Sequence, residues 1–194
     1  MKKNYFILLL VFCVFITLNC DKKTPTTPTE ESVLPDSDFW MMNVSLPRAM
    51  LTRTCEANGK IYALGGVTEQ EEFINTVYEF NPATSKWTAK GETQIDRMAF
   101  SVSAVNGKIY IFGGLKTCKG EALRYVEEYD PETGNCKPVS YLPQARPRAC
   151  FSTSVVNGKI YIIGGLPICG EHAWASVDVY DPETNECLRE LNCF

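Results

Sequence analysis

The single histidine of this 194-residue chain, His172, is the first residue to consider for chemistry. It lies in the polar segment GEHAW, without a nucleophile motif that would let it act as the base of a Ser-His-Asp or Cys-His pair. We therefore interpret His172 as an exposed loop residue. The sequence predicts no catalytic residue, no metal site and no cofactor.

The acidic residues of two DPET segments are a second candidate for chemistry. They are Asp130 and Glu132 in one segment, and Asp181 and Glu183 in the other. A paired-carboxylate site is one interpretation, but Asp before Pro is typical of a turn whose backbone the carboxylate caps. We expect these residues to form turns, with the glutamates in solvent.

The composition is that of a globular protein, with 45% hydrophobic and 22% charged residues and a formal net charge of -4. No run of lysine or arginine stands out, so nucleic acid is not expected as a partner.

The first residues differ in kind from the rest. Residues 1–19 combine two lysines with an apolar run that is shorter than the roughly 20 residues of a membrane span, which is typical of an export signal. Residues 20–37, rich in Thr and Pro, are predicted to be an extended tether. Signal, cysteine and tether resemble a bacterial lipoprotein, which implies that Cys20 carries a lipid and that the chain is attached to the cell envelope. Ordinary signal cleavage and an uncleaved short anchor remain open.

A repeat dominates residues 38–194. The segment NGKIY begins at Asn58, Asn106 and Asn157, a period of roughly fifty residues that indicates a repeat architecture. Each copy runs into a glycine pair, at residues 65–66, 113–114 and 164–165. These are three copies of one unit.

The local pattern of each copy is that of a β-sheet. Asn-Gly predicts a tight hairpin turn, and the apolar IYIFG and IYIIG predict short buried strands. The third strand is predicted to end at Phe80, Tyr129 or Tyr180, and the fourth to begin at Trp87, Cys136 or Cys187. Four short antiparallel strands per repeat are typical of a propeller blade.

The Asn-Gly hairpin, the glycine pair and, in the first repeat, an aromatic residue followed by Trp87 resemble the Kelch family. The resemblance implies an all-β fold, a partial β-propeller of three four-stranded antiparallel blades at about residues 48–90, 97–140 and 148–191. Residues 40–48 are predicted to add one extra N-terminal edge strand. A complete propeller has about four to eight blades, so truncation, an open arc and two chains that complete a ring by self-association all remain open.

Three arginines, Arg48, Arg97 and Arg148, precede the three repeats. The resemblance places them where one blade crosses to the next, at one end of a central channel. A planar guanidinium binds carboxylates through two hydrogen bonds, so these arginines, with Trp174 in a neighbouring loop, are candidates for binding an acidic peptide or an anionic sugar. The alternative is that the arginines belong to the scaffold and hold neighbouring blades together.

Cysteine usage fits an oxidising compartment. Outside residues 1–20 the chain has Cys55, Cys118, Cys136, Cys150, Cys169, Cys187 and Cys193. The joint presence of two cysteines in the later repeats suggests the pairs Cys118–Cys136 and Cys169–Cys187, whereas strand direction favours Cys118–Cys150 and Cys169–Cys193. The connectivity stays open, and zinc is less expected because no pair has CxxC spacing.

We therefore expect a non-catalytic Kelch module of the cell envelope that binds a protein or a carbohydrate through the arginine-bearing face. One alternative is an enzyme similar to the exported Kelch sugar mutarotases, whose active site needs a closed ring. Another is part of a larger propeller without a function of its own.

Overall fold

The computed structural model describes residues 45–48, 50–117, 120–143, 147–167 and 172–192. Within these ranges every regular element is a β-strand, and none of them contains a helix with the length and apolar character to cross a membrane. The predictions on residues 1–37, including Cys20, lie outside the described residues.

The described strands form three antiparallel sheets of four, each in the order of the sequence. The first blade consists of β1 (Leu51–Ala57), β2 (Lys60–Val67), β3 (Phe73–Asn81) and β4 (Lys86–Glu92). The second consists of β5 (Ser101–Val105), β6 (Lys108–Phe112), β7 (Tyr125–Tyr129) and β8 (Cys136–Tyr141). The third consists of β9 (Ser152–Val156), β10 (Lys159–Ile163), β11 (Ser176–Asp181) and β12 (Glu186–Asn192). The predicted fold class is confirmed. Of the predicted edge strand, residues 40–44 lie outside the description, and residues 45–48 precede β1 without forming a strand.

Turn chemistry fixes the hairpins as the sequence predicts. Asn106 and Gly107 have φ values of 51° and 75°, the left-handed geometry of a tight hairpin turn between β5 and β6. In the β7–β8 turn the Asp130 carboxylate accepts the backbone N–H of Glu132 at 3.0 Å, and Asp181 does the same for Glu183 in the third blade. The DPET segments are therefore turns, as expected.

Apolar side chains hold each blade against the next. Tyr62 of the first blade packs on Tyr129 of the second, with ring centroids 6.3 Å apart. Tyr110 of the second blade packs in the same way on Tyr180 of the third, at 5.5 Å. Because strand side chains alternate between the two faces of a sheet, each blade presents one face to the blade before it and the other to the blade after it.

The glycine pair closes the contact between blades. Gly113 has a φ of 56°, and a Cβ placed on it would lie 2.3 Å from the carbonyl oxygen of Arg148 in the next crossing segment. The N–H of Gly114 donates to that same carbonyl at 2.9 Å. Only glycine allows the end of β6 to approach the next crossing so closely.

We predict that Gly113→Ala lowers the free energy of unfolding by about 2–4 kcal/mol, because it adds left-handed backbone strain to a backbone overlap. Gly158→Ala is the matched control, since Gly158 also has a positive φ of 75° but no atom within 4 Å of its Cβ position. The control is expected to lose only about 1–2 kcal/mol. Urea unfolding of both variants measures the difference, and equal losses would contradict the role given to the close approach.

Candidate functional site

The loops that follow the glycine pairs meet the crossing segments at one end of the sheets, here called the crossing end. Leu115 pairs with Met98 of the crossing into the second blade, and Leu166 pairs with Ala149 of the crossing into the third. The two loops also touch each other, because the N–H of Ala122 donates to the carbonyl of Pro167 at 3.0 Å. The loops that follow the glycine pairs therefore meet the arginine-bearing segments at this end.

Arg97 lies beneath this layer and is 1% exposed. Its guanidinium donates to the carboxylate of Glu127 on β7 at 2.6 Å and to the carbonyl of Gly113 at 3.0 Å. The guanidinium therefore holds the crossing segment to the second and third strands of the blade that follows it.

Arg148 repeats this arrangement in the third blade with no exposed surface. It forms an ion pair with Asp178 on β11 and donates to the carbonyl of Gly164 at 2.8 Å. A further hydrogen bond reaches the hydroxyl of Ser176 at 3.3 Å. The two arginines serve the same purpose in consecutive blades.

Arg48 departs from this pattern. Its guanidinium pairs with Glu72 at the surface, and the two side chains are about half exposed. Thirty residues after each arginine, Tyr78 stands in the first blade where Glu127 and Asp178 stand in the others. Because the first blade has no acid at this position, Arg48 has no buried counter-charge there and lies at the surface.

The predicted ligand-binding role of the arginines is corrected in part by these positions. Neither Arg97 nor Arg148 has a guanidinium that a ligand can reach, and both make the contacts expected of the scaffold alternative. Only Arg48 is accessible. Of the other predicted residues at this end, Trp174 is half-buried and His172 is exposed.

Burial sets the electrostatics of the Arg97–Glu127 pair. Desolvation lowers the pKa of Arg97, and the charge of Glu127 acts in the opposite direction. Desolvation likewise raises the pKa of Glu127 against the effect of Arg97. Each charge is therefore tolerated in this place only because the other is present.

Glu79 is another buried carboxylate with a structural explanation. Burial opposes its charged form, but hydrogen bonds from Lys60 at 2.8 Å and Tyr62 at 2.7 Å outweigh burial and hold the pKa of Glu79 below its usual value. A carboxylate fixed in its charged form by two donors is poorly suited to transfer protons.

Among the described residues, no group of three or more His, Cys, Asp or Glu side chains is arranged to hold a metal ion.

The cysteines at the start of the fourth strands are not bridged. Cys136 and Cys187 have free thiols, as does Cys55, so the pairs Cys118–Cys136 and Cys169–Cys187 are not formed. Cys136 and Cys187 pack in the apolar layers between blades, where desolvation raises the pKa of each thiol to about 12. Both thiols are therefore protonated at neutral pH. The other two proposed pairs involve Cys118, Cys169 and Cys193, which lie outside the described residues.

An exposed group of residues at the crossing end was not predicted. Tyr125 and Tyr141, at the ends of β7 and β8, are 37% and 55% exposed, and their ring centroids lie 5.3 Å apart. The guanidinium carbon of Arg124 lies 5.7 Å from the centroid of the Tyr141 ring. We call these three residues the tyrosine patch. Tyrosine and arginine, with tryptophan, are enriched in the energetic centres of protein interfaces.

A comparison of the repeats could have found the tyrosine patch. The cross-strand pair Tyr125–Tyr141 of the second blade corresponds to Thr76–Glu92 in the first and Ser176–Asn192 in the third. Two aromatic residues thus replace polar ones in one blade only. Such a departure from the repeat is not required by the scaffold.

We predict that Arg97→Met lowers the free energy of unfolding by about 3–5 kcal/mol, because it leaves the Glu127 carboxylate buried without its counter-charge. Arg48→Met, at the equivalent position, breaks an exposed pair and is expected to cost about 1 kcal/mol or less. The double variant Arg97→Met/Glu127→Leu should recover part of the loss. Urea unfolding of the unaltered chain, Arg97→Met, Glu127→Leu and the double variant gives the coupling energy. Equal losses for Arg97→Met and Arg48→Met would contradict the scaffold role.

Comparisons with known proteins agree with this architecture. Beta-scruin of Limulus polyphemus is 28% identical over 178 residues, which cover 87% of this chain and 19% of scruin. Kelch repeat and BTB domain-containing protein 12 of Danio rerio is 28% identical over 168 residues, which cover 75% of this chain and 27% of that protein. The chain therefore spans only about a fifth to a quarter of the length of these relatives.

The solved structure of YjhT superposes with a TM-score of 0.61 at 20% identity, covering 75% of this chain and 52% of that one, which supports the fold. The KLHDC2/KLHL20/DRC7 Kelch-repeats domain matches residues 39–192, the region in which the three blades lie. The repeated hairpins, the glycine pairs and this match lead to one conclusion: the chain belongs to the Kelch-repeat family.

Proposed function

We propose that this chain is a non-catalytic binding module of the cell envelope that recognises a protein segment at the crossing end. The contact surface is the tyrosine patch, with Arg124 in the role that the sequence assigned to Arg97 and Arg148. The ligand is a segment that presents an apolar side chain to the two rings and a carboxylate to the guanidinium.

The observation that carries this proposal is the contrast between fully buried and partly accessible arginines at one end of the blades. The guanidinium groups of Arg97 and Arg148 donate hydrogen bonds to backbone carbonyls and form ion pairs with buried acids. Arg124 makes a hydrogen bond to the carbonyl of Leu142 through Nε at 3.3 Å and is only partly buried, beside two exposed tyrosines. Rigid aromatic rings next to a partly accessible guanidinium provide contact area and a carboxylate-binding fork together.

The envelope location rests on the sequence of residues 1–37. A short apolar run after two lysines directs export, and Cys20 at the start of the Thr/Pro-rich tether is the site for a lipid. The Thr/Pro-rich composition of residues 20–37 is typical of an extended tether.

Lipid attachment can be tested by metabolic labelling in a bacterial host. The chain is expected to incorporate labelled palmitate and to pellet with membranes, and Cys20→Ala should lose both properties. Cys13→Ala is the matched control, because Cys13 belongs to the predicted signal and is expected to be removed with it. Label that persists in Cys20→Ala would contradict lipid attachment at this residue.

The binding surface can be tested with a displayed peptide library and a glycan array, both probed with the full chain. We expect the tightest ligand to be a peptide, and Tyr125→Ala/Tyr141→Ala to weaken its binding by about 30-fold or more, since interface hot spots contribute at least about 2 kcal/mol. Both side chains are exposed, so thermal unfolding should change little.

Glu132→Ala is the control for this experiment, because Glu132 is exposed on the same blade at the opposite end, in the β7–β8 turn. It should bind the peptide as the unaltered chain does. A glycan as the tightest ligand, or equal binding by the double tyrosine variant, would overturn the proposed surface.

A further inference from the structure

The outer face of the third blade exposes apolar residues that the second blade buries at the same repeat positions. Val105 of the second blade is 6% exposed, and its counterpart Val156 is 50% exposed. Phe112 has no exposed surface, whereas its counterpart Ile163 is 45% exposed. In the second blade these positions are covered by the third blade, so the uncovered face has the form of a blade-binding surface.

The outer face of the first blade is the opposite half of the same kind of contact. Ile61 stands where Ile109 and Ile160 stand in the later blades, and it is exposed while both counterparts are fully buried. On the outer part of this face Trp87 packs on Phe80, with ring centroids 5.1 Å apart. The accessible part of the face therefore lies on β1 and β2, around Ile61 and the exposed residue Thr54.

Hydrogen bonds between blades show which faces match. At the contact of the second and third blades, the hydroxyls of Ser101 and Ser103 each lie 2.8 Å from the hydroxyl of Thr153. We call this arrangement the Ser-Ser-Thr clamp. The contact of the first and second blades lacks it, because Cys55 and Val102 occupy the corresponding positions.

The two free faces carry the complete set for one more clamp. Ser152 and Ser154 on the third blade stand at the positions of Ser101 and Ser103, and both are exposed. Thr54 on the first blade stands at the position of Thr153 and is exposed as well. The third blade therefore exposes the serine side of the clamp, and the first blade exposes the threonine side. The same two sides already meet within the chain, between the second and third blades.

We propose that the occupant of these faces is a second copy of this chain, bound head to tail. The third blade of each copy packs on the first blade of the other, and Ser152 and Ser154 bind Thr54 across each contact. Two contacts related by a twofold axis close the assembly, which then contains six blades, within the range of about four to eight in which propellers close.

Disulfide trapping tests the predicted register. The variant Thr54→Cys/Ser154→Cys should form a covalent dimer under mild oxidation, because the equivalent oxygens of Ser103 and Thr153 lie 2.8 Å apart. Ser103→Cys/Thr153→Cys is the positive control and should form its bond within one chain. Neither Thr54→Cys nor Ser154→Cys alone should give a covalent dimer. These single variants are the control for cross-links through the native cysteines.

Sedimentation of the full chain tests the assembly itself. We expect twice the mass of one chain, and a dissociation constant raised at least tenfold in Val156→Asp. Val155→Asp is the matched control, since Val155 is its neighbour on β9, is similarly exposed at 43%, and lies on the other face of the strand. It should leave the dimer unchanged.

Three results would overturn the proposal. The first is a single-chain mass over the whole concentration range, with no cross-link in Thr54→Cys/Ser154→Cys. The second is a cross-link between two Ser154→Cys chains, which would indicate contact between identical faces. The third is a ladder of longer species, which would indicate an open chain of copies rather than a closed pair. None of these results depends on the tyrosine patch.

Discussion

The structure depends on the way a buried arginine joins a crossing segment to the end of the second strand. Arg97 binds the carbonyl of Gly113, and the neighbouring Gly114 donates its N–H to the carbonyl of Arg148 in the next crossing. The glycine pair of the second blade thus lies between two consecutive crossings. The arginine fixes the position of the strand end within its own blade, and the glycine allows that end to approach the next blade. One blade is in this way positioned against another without a cross-link.

The buried ion pairs determine where the crossing segments lie more than they increase the free energy of unfolding. Removing two charges from water costs about as much as their attraction returns, so a pair such as Arg148–Asp178 contributes little net stability. It does, however, disfavour every arrangement in which one charge is buried alone. The first blade has Tyr78 in place of the acid, and there Arg48 turns outward to Glu72. The fate of each arginine follows from the residue thirty positions further along the chain, at Glu127 or Asp178.

The sequence predicted the strands well because their signals are local. Asn-Gly fixes the hairpin and the DPET carboxylate fixes the next turn, so both could be located before any packing was known. The role of the arginines could not be predicted in this way, since a guanidinium suits a buried acid and a bound ligand equally. The cysteines misled for a similar reason. Cys136 and Cys187 occupy the repeat position of Trp87. Each packs in an apolar layer between blades, and this packing explains the cysteines without a disulfide.

A stack of like blades always ends in two unlike faces, because each blade has one face for its predecessor and another for its successor. Contact between two third blades would bring together Val156 and Ile163 with their own copies, without a threonine opposite Ser154. Head-to-tail contact repeats the geometry of the second and third blades and adds no new kind of interaction. The tyrosine patch lies on the outer strands of the second blade, the only described blade that is covered on both faces within the chain. Binding at the patch and pairing of copies therefore use separate surfaces, and one does not exclude the other.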